Sequence, residues 1–216
     1  WNSMAYQILN PGIAHWFTPD GEGVVGYVNA GRFRVVAGEP VCAPERLAAT
    51  AAAFEVATRQ HRQRVCYFGA QDRMVMLLDS TRPLAALLLG AQPVWRPANW
   101  NLRLTRKSSF RAQLARARNK GVSVQPWDRT VATNHPDLRH CLHHWLQQRR
   151  LPPMHFMVEP DILGSLEHRH ILVAERQSQV VGFLVASPIP QRNGWLIEQI
   201  IRDPCAPNGT TELLLD

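Results

Sequence analysis

The run ILVAERQSQVVGFLVASPIPQRNGWLIEQIIRDPCAPNGTTELLLD, residues 171–216, decides the fold. It reads as three strands in quick succession, Ile171–Glu175, Val180–Ser187 and Gly194–Ile201. A Pro-constrained loop, Arg202–Asn208, then delivers Asn208-Gly209-Thr210 to the start of a helix. Unpaired N–H groups at a helix start, next to an Arg at a strand end, have the makings of an anion site. The alternative is an ordinary capped helix, since Asn, Gly and Thr are common caps.

Upstream, Glu159–Glu167 reads as a short helix, and Asp137–Arg149 as a longer one carrying Leu138, Cys141, Leu142, Trp145 and Leu146, ended by Pro152-Pro153. Val122–Pro126 reads as a strand. Ser108 or Ser109 can cap a helix running to Lys120, which Gly121 stops. In the first part, Val24–Val28 and Arg32–Val36 form a hairpin through Asn29-Ala30-Gly31, and Pro44–Gln63 is a helix with Leu47, Ala51 and Phe54 on one face. Val65–Gly69 is a short buried strand, Arg73–Leu78 is apolar but of ambiguous type, and Leu84–Leu89 reads as a short helix after Pro83. Pro93, Pro97 and the Trp95/Trp100 pair mark a loop. Strand–helix–strand units alternate with hairpins, so the class is α/β with mixed sheets. Similar element orders before and after Gly121 divide the chain into residues 1–121, including a basic connecting helix, and 122–216.

Charge is as informative as pattern. The 216 residues carry a net charge of +7, from 22 Arg and 2 Lys against 17 acidic residues. No acid occurs from Ser80 to Trp127, while Arg82, Arg96, Arg103, Arg106, Lys107, Arg111, Arg116, Arg118 and Lys120 all fall there. One segment therefore supplies the whole excess. On its helix, Phe110, Leu114 and Ala117 make the buried stripe and leave Lys107, Arg111, Arg116, Arg118 and Lys120 on the rest of the circumference. A merely solvated face would intersperse Glu and Asp; an acid-free one points to a polyanion such as RNA, anionic lipid or a phosphorylated cofactor.

Other motifs carry less. Gly21-x-Gly23-x-x-Gly26 spells a dinucleotide fingerprint, but it follows Pro19-Asp20 and precedes β-like residues, so it reads as a turn. His140, His143 and His144 share a helix, and His168-x-His170 opens a strand; no acid or Cys completes either set, so both read as solvent-facing and no metal is expected. Cys42, Cys66, Cys141 and Cys205 are 24, 75 and 64 residues apart, matching neither a zinc nor a disulfide pattern, which suits a reduced, cytoplasmic setting. The longest apolar run, Leu84–Ala91, is too short to span a bilayer, and the start resembles no signal peptide. Trp1 is not an initiator Met and Asp216 closes a helix that reads as unfinished, so the chain reads as a fragment. No nucleophile or P-loop signature is present, which suits chemistry in which two bound substrates react directly.

The run Trp195–Asp216, the Asn119-Lys120-Gly121 helix end and the Pro153–Asp161 loop resemble the C-terminal domain of bacterial phosphatidylglycerol lysyltransferases. The resemblance is densest in 103–121 and 171–216. It implies tandem GNAT-like acyltransferase folds, the second truncated at its C-terminus, with an aminoacyl-tRNA donor, phosphatidylglycerol as acceptor, no cofactor, and a place at the inner face of the membrane. In that family an acidic residue three before an Arg, upstream of Pro-Asn-Gly-Thr, holds the amino-acid part of the donor. Here Arg202 takes the Arg position, Gln199 stands three before it and Glu198 one further back, so the resemblance implies Glu198, Gln199 and Arg202 as the catalytic set. A uniform strand points Glu198 and Gln199 to opposite faces, and only a bulge brings both to one. Two other readings stand beside this one. In an acyl-CoA-dependent N-acyltransferase, Asn208, Gly209 and Thr210 would cradle a pyrophosphate; a non-catalytic basic module would only bind membrane or nucleic acid.

Overall fold

The computed structural model describes residues 2–79, 85–149 and 155–216, and for 79 and 103–105 the backbone only. These fall into two compact units: residues up to Gly90 with His155–Glu159 and Ile189–Leu196, and Ala91 onward with the remainder.

The first unit is built on a mixed sheet of β1 (Ala14–Phe17), β2 (Gly23–Ala30), β3 (Phe33–Ala37), β4 (Val41–Cys42) and a later β5 (Arg64–Phe68). β1, β3 and β4 all pair antiparallel with β2. β3 pairs parallel with β5, because α1 (Leu47–Gln60) supplies the crossover. The face of α1 read from the sequence is the one it buries: Phe54 lies with Val25 and Val36, all at 0% exposure, and Trp16 meets Phe54 edge-on. Pro44 stands in a short 3-10 turn ahead of α1 rather than inside it. Of the glycine motif at 21–26, read as a turn, only Gly21 lies in one; Gly23 and Gly26 are part of β2. Gly21 adopts φ +75°, and there the Asp20 carboxylate accepts from the Thr18 hydroxyl and the Glu22 amide. Those bonds hold the Asp20 carboxyl well below its usual range. Arg73–Leu78, ambiguous in type by sequence, lies in α2 (Asp72–Asp79). The helix expected at Leu84–Leu89 is not seen over 85–89, which have no regular structure and are exposed; Pro83 and Leu84 lie outside the described residues.

In the second unit, α3 (Trp100–Arg106) and α4 (Ser108–Asn119) run head to tail. Trp100 thus opens a helix instead of sitting in a loop. Lys107, not a serine, occupies the N-cap of α4, and Gly121 at φ +77° ends it. β6 (Val122–Pro126), α5 (Arg129–Ala132) and α6 (Pro136–Gln147) follow, then β7 (His170–Arg176), β8 (Gln179–Ile189), β9 (Gly194–Arg202) and α7 (Thr210–Leu215). The sheet order is β6-β7-β8-β9.

Alternation along β8 sends Phe183 and Val185 to one face and Leu184 and Ala186 to the other. α6 covers the first face through Leu138, Cys141 and Leu142. α4 and α7 cover the second through Leu114, Ala117, Leu213 and Leu214. The helix expected at Glu159–Glu167 is a coil instead. Ile162, Leu163 and Leu166 are nonetheless fully buried over the first face. Three of its carbonyls are met from outside it, Leu163 by the Asn134 amide, Pro160 by the side chain of Gln199 and Ser165 by that of Arg169, while the Ile162 carbonyl accepts from the Ser165 amide within it. A local sequence pattern cannot announce donors that come from other elements. The Pro152-Pro153 helix stop lies outside the described residues.

α7 is seated by Gly209, which holds φ +94°; a Cβ there would stand 2.0 Å from the Gln113 carbonyl oxygen of α4. Gly209→Ala should therefore lower unfolding free energy by about 2–4 kcal/mol, through left-handed strain and overpacking together. Urea unfolding measures this, and a loss under about 0.5 kcal/mol would contradict the tight seat.

Candidate functional site

The site builds from the C-terminal half of β9. Ile197 and Ile200, three residues apart, both pack with α4 and α7, whereas Ile201 packs with α6. Strict two-residue alternation cannot do this, so the strand is irregular between Ile197 and Ile200. The consequence is that Glu198 and Gln199 both reach the 160–166 coil on the α6 side. Glu198 Oε1 accepts from Arg169 Nε at 2.9 Å, with side-chain exposures of 6% and 2%. Gln199 Nε2 donates to the Pro160 carbonyl at 2.9 Å.

Arg202 ends β9, half-buried, and its Nη1 lies 3.4 Å from Asn208 Oδ1. Between them the loop is tied down by Asp203: its amide donates to Val181, and its Oδ1 accepts from the Cys205 amide at 2.8 Å. Asp203 Oδ2 lies 3.1 Å from His144 Nδ1 on α6. Of the three helix histidines, His140 and His143 are exposed as expected; His144 is half-buried on Asp203, with its ring 4.1 Å from that of His140. His168 and His170 are exposed. Thr210 is fully buried and its hydroxyl donates to the Pro207 carbonyl at 2.7 Å. Asn208 is exposed, while Gly209 and Thr210 are buried in packing.

All five basic positions singled out on the α4 segment are exposed. At about 100° per residue they divide into two flanks. Lys107, Arg111 and Arg118 fall within roughly 40° of one another, and Arg116 and Lys120 lie on the opposite side. Arg118 pairs with Asp216 at 2.6 Å, and Arg116 donates to Gln113 at 3.1 Å. Beside the first flank lies an apolar groove of about 530 Å³ lined by Trp95, Trp100, Leu102, Phe110 and Leu215, with Arg106 and Lys107. The sequence reading took Trp95 and Trp100 as loop markers only. Their neighbourhood to an acid-free, cationic helix was the available signal. Arg169 was missed too: nothing local links it to Glu198, 29 residues on.

The fold and site define a mixed α/β protein with two sheets, whose conspicuous surface feature is a cationic helix. Residues 1–216 match the family described as "Phosphatidylglycerol lysyltransferase, C-terminal", and the chain belongs to that family. Three solved structures share the fold. One is the C-terminal domain assigned to a lysylphosphatidylglycerol synthetase of Agrobacterium fabrum, with TM-score 0.85, 17% identity, and coverage of 100% of this chain and 69% of that one. The second is L-PGS of Bacillus licheniformis, with TM-score 0.73, 15% identity, and coverage of 99% and 66%. The third, a conserved protein of unknown function from Bacteroides thetaiotaomicron, has TM-score 0.67, 15% identity, and coverage of 99% and 73%. No curated protein matches the chain. No helix among the described residues is long and apolar enough to cross a membrane.

Burial and the nearby Asp203 carboxylate push the Cys141 thiol, beneath the site, up to about 12 from 9.0. Between those values the native state keeps a proton that the unfolded chain has released. Stability is therefore full below pH 9 and falls as pH rises toward 12, by up to about 1.4 kcal/mol per pH unit from this group. Cys141→Val should flatten the loss between pH 8 and 10.5 in urea titrations. Parallel losses in both proteins would contradict the assignment.

Proposed function

We propose that the protein carrying this chain is an aminoacyltransferase that moves an amino acid from aminoacyl-tRNA to a phosphatidylglycerol-type lipid at the inner, cytoplasmic face of the membrane. The observation that carries this reading is the family match over the whole chain. We further read the chain as two GNAT-like halves, 1–121 and 122–216, the second incomplete; each half contains all the strands of one sheet. The exposed cations Lys107, Arg111, Arg116, Arg118 and Lys120 take the phosphates of the polyanionic tRNA and of the anionic lipid.

We place the reaction centre at Gln199 and Arg202, with Glu198 of the implied catalytic set as the positioning residue behind them. The acceptor hydroxyl attacks the ester carbonyl of the charged tRNA, a new ester forms, and the tRNA 3′-terminal ribose leaves with the proton. Ester exchange of this kind is near balance, so positioning and stabilisation of the oxyanion carry the rate. Arg202 supplies charge and paired N–H donors at the strand end, and Asn208 orients it. Gln199 lines the donor site beside it. Glu198, held by Arg169, acts from beneath by fixing the irregular stretch of β9 that places Gln199 and Arg202. Gly209 and Thr210 seat the loop on α4.

The acyl-CoA reading ranks second. It asks the N–H groups of 208–210 to cradle a pyrophosphate, whereas the Thr210 amide is turned to the Pro207 carbonyl and Gly209 is packed on Gln113. A clear rise in melting temperature with acetyl-CoA would favour it over the tRNA reading. The direct test is transfer of labelled amino acid from a set of charged tRNAs to phosphatidylglycerol by the full-length protein, and no transfer from any of them would sink the proposal.

Within that assay, Arg202→Lys keeps the charge and loses the planar fork. It should cost about 2–4 kcal/mol of transition-state stabilisation, roughly 30- to 1,000-fold in turnover, with little change in stability. Arg116→Lys should weaken binding slightly and leave turnover at saturating donor intact. Equal, small effects of both would make Arg202 structural.

A further inference from the structure

We infer that the groove between α3 and α4 is a docking surface for an anionic lipid bilayer, separate from the opposite flank of α4, which is left to the nucleic-acid donor. The inference rests on the lipid acceptor proposed above and assigns it a place. The groove is lined by Trp95, Trp100, Leu102, Phe110 and Leu215, an apolar set, with Arg106 and Lys107 at its mouth. Leu102 is 59% exposed, and Val94, one residue before Trp95, is 75% exposed. Aliphatic side chains held out in water next to Trp and cations are the composition of an interfacial surface. The apolar part enters the headgroup–acyl boundary, Trp sits at headgroup level, and the cations meet lipid phosphates.

Charge complementarity selects this occupant. The sequence from Ser80 to Trp127 contains no acid, so the rim presents a single sign to an anionic membrane and would repel a second copy of itself. The acid that does reach the groove wall, Asp216, is neutralised by Arg118 and accepts from the Trp100 indole at 3.1 Å. An RNA strand would want aromatic faces on which to stack bases. Trp100 instead stands edge-on to Phe110, with ring centroids 5.6 Å apart and planes at 89°, and its nitrogen is pinned to Asp216. Leu102, exposed on the groove, suits a hydrocarbon surface better than a stacked base.

The test is flotation of this chain with vesicles of phosphatidylcholine alone and with about one-third phosphatidylglycerol, without tRNA or amino acid. Its result is therefore independent of whether the transfer reaction proceeds. Binding is expected to the anionic vesicles, with a blue shift of tryptophan emission, and to fall as salt rises. Lys107→Gln and Arg116→Gln change net charge equally. The first should weaken vesicle binding by about fivefold, the second by less than about twofold, because a basic side chain contributes only near the lipid surface. Leu102→Gln should weaken it by roughly tenfold, since a leucine side chain is no longer withdrawn from water. If that variant fails to fold, the two charge variants decide alone. The inference is overturned if Lys107→Gln and Arg116→Gln act alike, if neutral vesicles bind equally well, if the groove variants weaken tRNA binding in gel shifts but not vesicle binding, or if they change only the oligomeric state.

Discussion

The buried ion pair between Arg169 and Glu198 is the constraint on which the second unit depends. Both side chains are almost wholly out of water, at 2% and 6% exposure. Removing either partner leaves an uncompensated buried charge, which is among the costliest single changes a core can suffer. The same guanidinium also reaches the Ser165 carbonyl, so one side chain fastens an irregular coil to the strand it crosses. That coil carries Ile162, Leu163 and Leu166 into the core against α6. Without the clamp the coil has few bonds of its own, and the irregular register of β9 has little to hold it.

The irregular stretch of β9 has a functional consequence. Glu198 bonds Arg169 and Gln199 bonds Pro160, while Ile197 and Ile200 pack with α4 and α7. The polar residues at the end of β9 are thus spread around the strand's exit rather than lined along one face. Arg202 then leads through Asn208 into the seat where Gly209 meets Gln113. Gln113 is also the partner of Arg116. Strand end, loop and cationic helix therefore form one packed series, and a shift in α4 would be felt at Arg202. The two flanks of α4, one beside an apolar groove and one open to water, suit partners of different chemistry.

Much of this fold was legible because it rests on local pattern. The 2-residue period of β8, the 3.6-residue stripe of α4 and the stop at Gly121 depend only on near neighbours. The stripe Phe110, Leu114 and Ala117 is the one that packs, and the cations lie where the helical wheel leaves them. The apolar spacing of the coil at 159–167 imitates a helix, while its backbone is met by Asn134 and Gln199, both distant in sequence, and by the side chain of Arg169 just beyond its end. Asn208, Gly209 and Thr210 read as an exposed anion cradle, yet Gly209 is required by contact with α4, which no local signal carries. Arg169 looked like any surface Arg beside two histidines. The alternation rule did, however, pose the right question of Glu198 and Gln199, and the irregular strand answers it.

The central claim is that Glu198 serves the site through Arg169 rather than through substrate. Glu198→Gln, Arg169→Met and the double variant Arg169→Met/Glu198→Leu in the full-length protein test it, with urea stability and amino-acid transfer measured on each. The account predicts that each single change costs about 3–5 kcal/mol, and that the double variant, with an apolar pair in place of the ionic one, recovers most of that loss together with turnover within about tenfold of the parent. A double variant that is as stable as the parent and yet inactive would contradict it, because the Glu198 carboxylate would then be needed in the chemistry itself.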